Sequence, residues 1–559
     1  MQKIKKMVKN KGFFMSIIVI TLTLVCGASN NNLFAHTKVG FDNLINELEN
    51  KAIIKDTIFV FEPKRWGIVE GKVSDEIALN NRNILNSVMA ELKKVGINTM
   101  KIGVMDAYFK VDVNSINRQT NFDASIQVPS DFNLVMSDGT YIRVQPNSEA
   151  TYTLMTVYLK DNTTITGGHL VGDRFEHDYS PTKDNHNVSR DEHGWGFLLW
   201  IIGSENIVID NVHLSKATGD GLVFHSKTLR NTDGTLGPTN REVNNVLVKN
   251  LTIDECRRNG LSVLDGRNIT IDNCNITNTG NGSQAYDANG AKIFSASGVA
   301  PKYGIDLEAI RTRDDNGILE ETALIENITV KNSNFTGNTS GDIVLYTASH
   351  VIVENNYFDK WISNKASDNV KITNNIFESR DPSYFAIAVN SFKDPFGKEL
   401  NHDYLISGNT VTNYSVGIRV AGENQEVSNN TIIDCTTGIY FVSNLINGNF
   451  KNNKINSSLS VSYGYRNFRN SNNLENVIVS NELINVRHRP ISFIDILNLS
   501  NSGTPQITFQ NCNFTTSSTN FKLYINKGKN IKFQNNYSNT SFDIINSENI
   551  VLINNDTFN

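Results

Sequence analysis

The sequence predicts an all-β chain wound as a parallel β-helix, a solenoid of about fourteen coils with an α-helical cap at its N-terminal end. Two patterns lead to that reading. A short phrase (apolar, any residue, Asn, any two residues, apolar) recurs along most of the 559 residues. Around each copy, apolar and polar residues alternate with the two-residue period of a strand.

Taken in order, residues 1–35 read as a signal peptide. Lys3, Lys5, Lys6, Lys9 and Lys11 precede a mostly apolar run from Phe13 to Val25, too short to span a bilayer. Cleavage after Ala28 or Ala35 implies a secreted protein, extracellular or periplasmic. A lipoprotein anchor through Cys26 is disfavoured, because Val25 stands where a small residue normally precedes the lipidated Cys. No later stretch is apolar enough for a membrane span. The formal charge is −5, yet no acid precedes Asp42, so the chain beyond the leader is more acidic still. Such a balance argues against nucleic acid as a partner.

Residues 36–160 form an N-terminal cap region. After Ser74, a plausible N-cap, the apolar residues Ile77, Ile84, Leu85, Val88 and Leu92 give Asp75 to Lys94 the period of an amphipathic helix. Gly96 ends it, and first strands follow through Tyr158. A helix over the open end of a solenoid covers core and strand edges that the end coil would expose.

Residues 161–559 are the coils. Asn211 and Asn273 mark two clear turns, and the pattern returns around Asn250, Asn332, Asn355, Asn374, Asn429, Asn452, Asn481, Asn511, Asn535 and Asn555, with Gly167 and Gly408 in the same role. Asn and Gly tolerate a left-handed backbone, which suits tight turns between short strands. Units this short must stack to bury an apolar face, so like residues form ladders. Cys256, Cys274, Cys435 and Cys512 fall at matching positions in distant coils, beyond disulfide reach, and read as buried small apolar residues. No cysteine or histidine spacing indicates zinc.

Insertions at 168–210, 212–249 and 274–331 adjoin the same few coils and predict the walls of one groove. There, Gly304-Ile305-Asp306-Leu307-Glu308 reads as a strand with Ile305 inward and Asp306 and Glu308 outward. This carboxylate pair is the leading catalytic candidate, as acid and base or nucleophile, or as a hold for Ca²⁺ against an anionic substrate. Tyr303 and His225, the latter two coils from Glu308, are the expected proton partners. Arg258 and Arg311 read as clamps for a uronate carboxylate, with Asp220 and Asp265 flanking. In the first insertion, Arg174, His177 and His193 read as groove wall and proton shuttles, and Trp200 as a sugar platform. A solvated ion-pair face is the plainer account of any one of these residues.

The cap, the Asn-turn coils and the phrases Gly203-Ser204-Glu205-Asn206-Ile207-Val208-Ile209 and Gly219-Asp220-Gly221 resemble the pectate-lyase-like superfamily of secreted, right-handed, single-stranded parallel β-helix proteins. Tyr303-Gly304-Ile305-Asp306 is similar to the Tyr-Gly-x-Asp motif of mannuronan C5-epimerases. In that family Pro-His-Glu follows, and here Leu307-Glu308-Ala309 replaces it. The resemblance implies a carbohydrate-active enzyme, a lyase or glycoside hydrolase, acting on a uronate-containing polysaccharide as monomer or homotrimer. The alternative is a non-catalytic glycan-binding or adhesin rod.

Overall fold

The computed structural model describes residues 58–557, apart from 112–123, 184–191, 231–235, 314–318, 469–473, 496–505 and the single positions 284, 291, 310, 322, 383, 395 and 519. The signal-peptide segment and Cys26 lie outside the described residues. Among the described residues, no helix is long and apolar enough to cross a membrane.

The chain winds as a right-handed parallel β-helix with three strands in a typical coil. One full turn shows the plan: Trp195–Ile202 on a first face, Glu205–Asp210 on a second and His213–Ser215 on a third. Among the described residues the third face alone stacks sixteen strands, at a spacing that gives a rod of roughly 70 Å. That exceeds the expected fourteen by two. The extra strands, Met105–Phe109 and Thr140–Val144, belong to the cap region and turn without the Asn phrase.

The turn residues take the left-handed backbone that the repeat demands. Asn211, Asn250, Asn273, Asn332, Asn355, Asn374, Asn429, Asn452, Asn481, Asn511 and Asn535 lie at φ between 53° and 58°. At the last coil the turn falls on Asn554 rather than Asn555. Asn555 instead occupies the next column, which points inward and forms a ladder of its own. There Asn356, Asn375, Asn409, Asn430 and Asn453 each donate from Nδ2 to the acceptor of the following coil at 2.9–3.0 Å, ending on Glu482. Each also donates to a backbone carbonyl, so these buried amides are paired.

The helix spans Asp75–Lys94, with the Ser74 hydroxyl accepting from the Ile77 amide and Gly96 left-handed at its end. Its buried face, Ile84, Leu85, Val88, Met89 and Leu92, joins one apolar core that continues along the coils to Phe533. Asn81 and Arg82 tie the helix to the backbone of the first strands. The four described cysteines are free and buried.

Candidate active site

On the first face, Leu222, Leu261 and Ile305 pair in register and are fully buried, as the inward column. The side chains between them point outward. Val223, Ser262, Asp306 and Val344 form one outward column, and His225, Glu308, Tyr346 and Lys365 fall in the next. Sequence alignment of Gly196 with Gly221 slips here by two residues, because Leu199 rather than Phe197 pairs with Leu222. A two-residue slip leaves every side chain on its face. Trp200 therefore stays outward but shares the Asp306 column, three coils away, instead of that of Glu308.

Asp306 is only 1% exposed, although its backbone places it on the outer surface. Its Oδ2 accepts from Asn259 Nδ2 at 2.9 Å. Asn259 also donates to Ser262 Oγ, and Ser262 donates to Asp220 Oδ2 at 2.8 Å, so two buried carboxylates share one polar relay. Arg258 Nη1 meets the same Asp220 oxygen at 2.6 Å and lies over the Trp195 ring. Burial raises Asp306 to about 7, and the Glu308 charge adds to this, with Arg258 opposing. Burial raises Asp220 as well, against Arg258 and its hydrogen bonds.

Asp306 and Glu308 open onto a cleft of about 280 Å³ lined also by Tyr303, Tyr346, Asn364 and Lys365. Sequence reasoning missed these last three. Tyr346 and Lys365 follow Glu308 in register on the next two coils, where continuing the strand alignment finds them, whereas Asn364 pairs with the inward Leu345 and shows no such signal. A larger hollow, about 440 Å³, lies on the second face around Asn327, His350, Lys371 and Asp403. It lacks a buried carboxylate, so the chemistry favours the smaller cleft.

Several expected site residues serve the frame instead. Arg174, 1% exposed, donates to the carbonyls of Ala296, Glu255 and Asn281. Arg257 likewise donates to the carbonyls of Ser295, Ser297 and Glu192. Together they fasten the insertion around 172–194 to that around 278–302. His177 and His193 are buried in the same place: His177 bonds to Asp173 at 2.8 Å and to His193 at 2.9 Å, and Tyr152 and Thr218 extend the chain. Neither is a groove residue, since the insertion folds inward over them. Asp265 is buried too and accepts from the Leu324 amide, anchoring the chain where it re-enters the coils.

His225 sits two coils from Glu308, with Leu264 between, so it does not reach the pair. It stacks on Trp200, and burial lowers it to about 4. Arg311 opens a hairpin with Leu319–Glu321, and its side chain lies outside the described residues. Among the described residues, no group of three or more His, Cys, Asp or Glu converges to hold a metal ion.

Residues 241–400 match the family described as right handed beta helix region. The chain is 29% identical over 331 residues to the uncharacterized protein YclG of Bacillus subtilis strain 168, covering 59% of this chain and 51% of that one. It thus spans about half the length of the curated relatives it matches. Among solved structures, a tailspike protein mutant of E. coli bacteriophage HK620 in complex with pentasaccharide aligns over 84% of this chain and 76% of its own, with TM-score 0.51 and 12% identity. The mannuronan C-5 epimerase A-module of Azotobacter vinelandii aligns over 90% and 99%, with TM-score 0.36 and 10% identity.

Proposed function

We propose that this right-handed parallel β-helix protein, with the fold of the pectate-lyase-like superfamily, is an exported enzyme that cleaves or modifies a uronate-containing polysaccharide at Asp306 and Glu308. The observation that carries the reading is the burial of the Asp306 carboxyl beside Glu308 at the cleft. A buried carboxyl near 7, opening on a cleft beside a second carboxylate, is arranged to give and take protons at neutral pH. Asn259 orients it, and Arg258 supplies positive charge nearby. The pentasaccharide bound by the HK620 tailspike supports a glycan as ligand for a surface of this fold.

In a hydrolase, Asp306 protonates the leaving oxygen while Glu308 acts as base or nucleophile. In a lyase or epimerase, one of the pair takes the proton α to the uronate carboxyl, and Arg258 or Lys365 steadies the negative charge that develops. Tyr303, which lines the same cleft, is the further proton partner.

The test follows reducing ends and the ultraviolet absorbance of unsaturated uronates together, on a panel of uronate-rich and neutral polysaccharides with and without calcium. The wild-type protein is expected to turn over a uronate polymer, and Asp306→Asn to lose at least a hundredfold. Turnover should fall as pH rises above about 7, if Asp306 acts as the acid. Equal turnover by the variant would remove Asp306 from the chemistry. Silence on every substrate would leave the glycan-binding rod as the better account.

A further inference from the structure

The first face does not end at the cleft. Downstream of Asp306 its outward column runs Val344, Ser363, Ala388, Arg419, Tyr440, Arg466, Ser492 and Tyr524. Beside it, Tyr463 and Arg489 pair in register three positions before Arg466 and Ser492, half-buried at the start of their strands. The inward neighbours Ile418, Ile439, Tyr465 and Ile491 are fully buried, which places Arg419, Tyr440, Arg466 and Ser492 on the outer side.

The series alternates cations with rings. Arg466 lies 4.6 Å from the Tyr463 ring and 5.9 Å from that of Tyr440. Arg489 lies 4.1 Å from the Tyr524 ring, and Arg419 lies 5.9 Å from Phe385. Between this stretch and the cleft, Lys365 sits 4.9 Å from the Tyr346 ring and 4.7 Å from that of Phe392. Several arginines elsewhere on the rod pair with carboxylates, Arg143 with Asp106, Arg241 with Asp161 and Arg267 with Glu242, and Arg174 and Arg257 are taken up by backbone carbonyls. Arg419, Arg466 and Arg489 have no carboxylate partner among the described residues. The Nε atoms of Arg419 and Arg489 are enclosed and without a hydrogen-bond partner. Three guanidinium groups held against rings and left without anions form a surface lacking its counter-charge.

We propose that this stretch is an extended subsite for a linear carboxylated polysaccharide lying along the rod axis, with guanidinium groups taking uronate carboxylates and tyrosines carrying sugar rings. The proposal rests on the uronate reading of the cleft and extends it from one site to a track. Arg419 lies four coils from Asp306, about 19 Å, and Tyr524 eight coils away, about 38 Å. Arg419 and Arg466 are two coils apart, roughly 10 Å. That sparse spacing suits a polymer with one carboxylate per sugar unit. It fits poorly to duplex DNA, which places a charge about every 1.7 Å.

The test uses the full mature chain in an Asp306→Asn background, so that binding is read without turnover. Titration calorimetry would compare polygalacturonate and alginate with their dimers, with a neutral galactan and with inorganic polyphosphate. Adding Arg466→Gln and Arg489→Gln is expected to weaken long polyuronates at least tenfold and to flatten their salt dependence, with the uronate dimers bound as before. The single Arg466→Gln variant, on a half-buried outward site, should show part of the loss with unchanged melting. Long-polymer affinity within twofold of the parent in both variants would overturn the track, as would a parent that binds neither polyuronate. Polyphosphate bound as tightly, with the same loss, would overturn the carboxylate assignment. If Asp306→Asn turns over normally while the arginine effect stands, the cleft reading fails and the track survives.

Discussion

Asp306 keeps its proton to about pH 7, because burial first and the Glu308 charge second disfavour its ionised form. The unfolded chain releases that proton near the ordinary value, about 3.9. Between these two points the unfolded state ionises more readily, so rising pH drains stability from the fold, by about 4 kcal/mol at most. Asp306→Asn retains an acceptor for Asn259 and removes the charge. It should melt higher than the wild type at pH 8 and show little difference at pH 4, as scanning calorimetry would read. A stabilised, inactive variant is the signature of a site held strained for chemistry. The carboxylate pair was legible in the sequence because alternate residues of a strand share a face. Its proton was not, since burial of Asp306 arises from side chains on other coils. The same holds for Arg174, His177 and His193, whose types suggested substrate and whose surroundings make them frame.

Two ladders hold each coil to the next. In the inward column, Asn430 accepts from the Asn409 amide group and donates to Asn453 and to the Ile406 carbonyl. Asn430→Ala leaves those partners buried and unpaired, at a cost of about 1–3 kcal/mol, measurable by denaturant unfolding. On the first face, a Cβ added to Gly260 would lie 2.6 Å from the Gly304 carbonyl oxygen and 2.6 Å from Ile276. Gly260→Ala should therefore cost about 1–3 kcal/mol through forced separation of neighbouring coils. The turn asparagines announced themselves by recurrence and a left-handed backbone. The second, inward ladder is written as an Asn after the turn residue in Asn356, Asn375, Asn409, Asn430 and Asn453, but Val212, Leu251, Cys274 and Glu482 interrupt the column, and the turn repeat masked it. Glu482 is the odd member, pushed up to about 8 by burial while it accepts from Asn453 and from Tyr465 at 3.0 Å.

Over the whole molecule, each coil touches mainly its neighbours, so the ends decide solubility. Leu85 and Val88 of the cap helix are fully buried against the first coils. Leu85→Asp places an unpaired charge there and should lift the helix from the rod, with oligomers appearing in light scattering. Val104→Asp, on a residue 76% exposed, serves as the matched control and should leave the rod monodisperse relative to wild type. Charge is also laid out at this scale. Acids cluster with Asp220, Asp306 and Glu308 on the early coils of the first face, whereas Arg419, Arg466 and Arg489 follow on the later ones.

By itself the sequence determined the winding, the positions of the turns, the limits of the cap helix and the face on which each strand residue lies. Each of these follows from periods of two and about 3.6 residues and from the few residue types that accept a left-handed turn, which neighbouring residues express directly. Tertiary structure alone decided which outward residues are covered, which arginines are consumed by carbonyls and which stay without an anion, and that Asp306 holds a proton. These depend on groups brought together across long stretches of chain. Arg174 meets the Ala296 carbonyl over 122 residues, and Asn259 reaches Asp306 over 47. No local pattern carries such a pairing, because only the stacking of coils and the folding of insertions over them sets those distances.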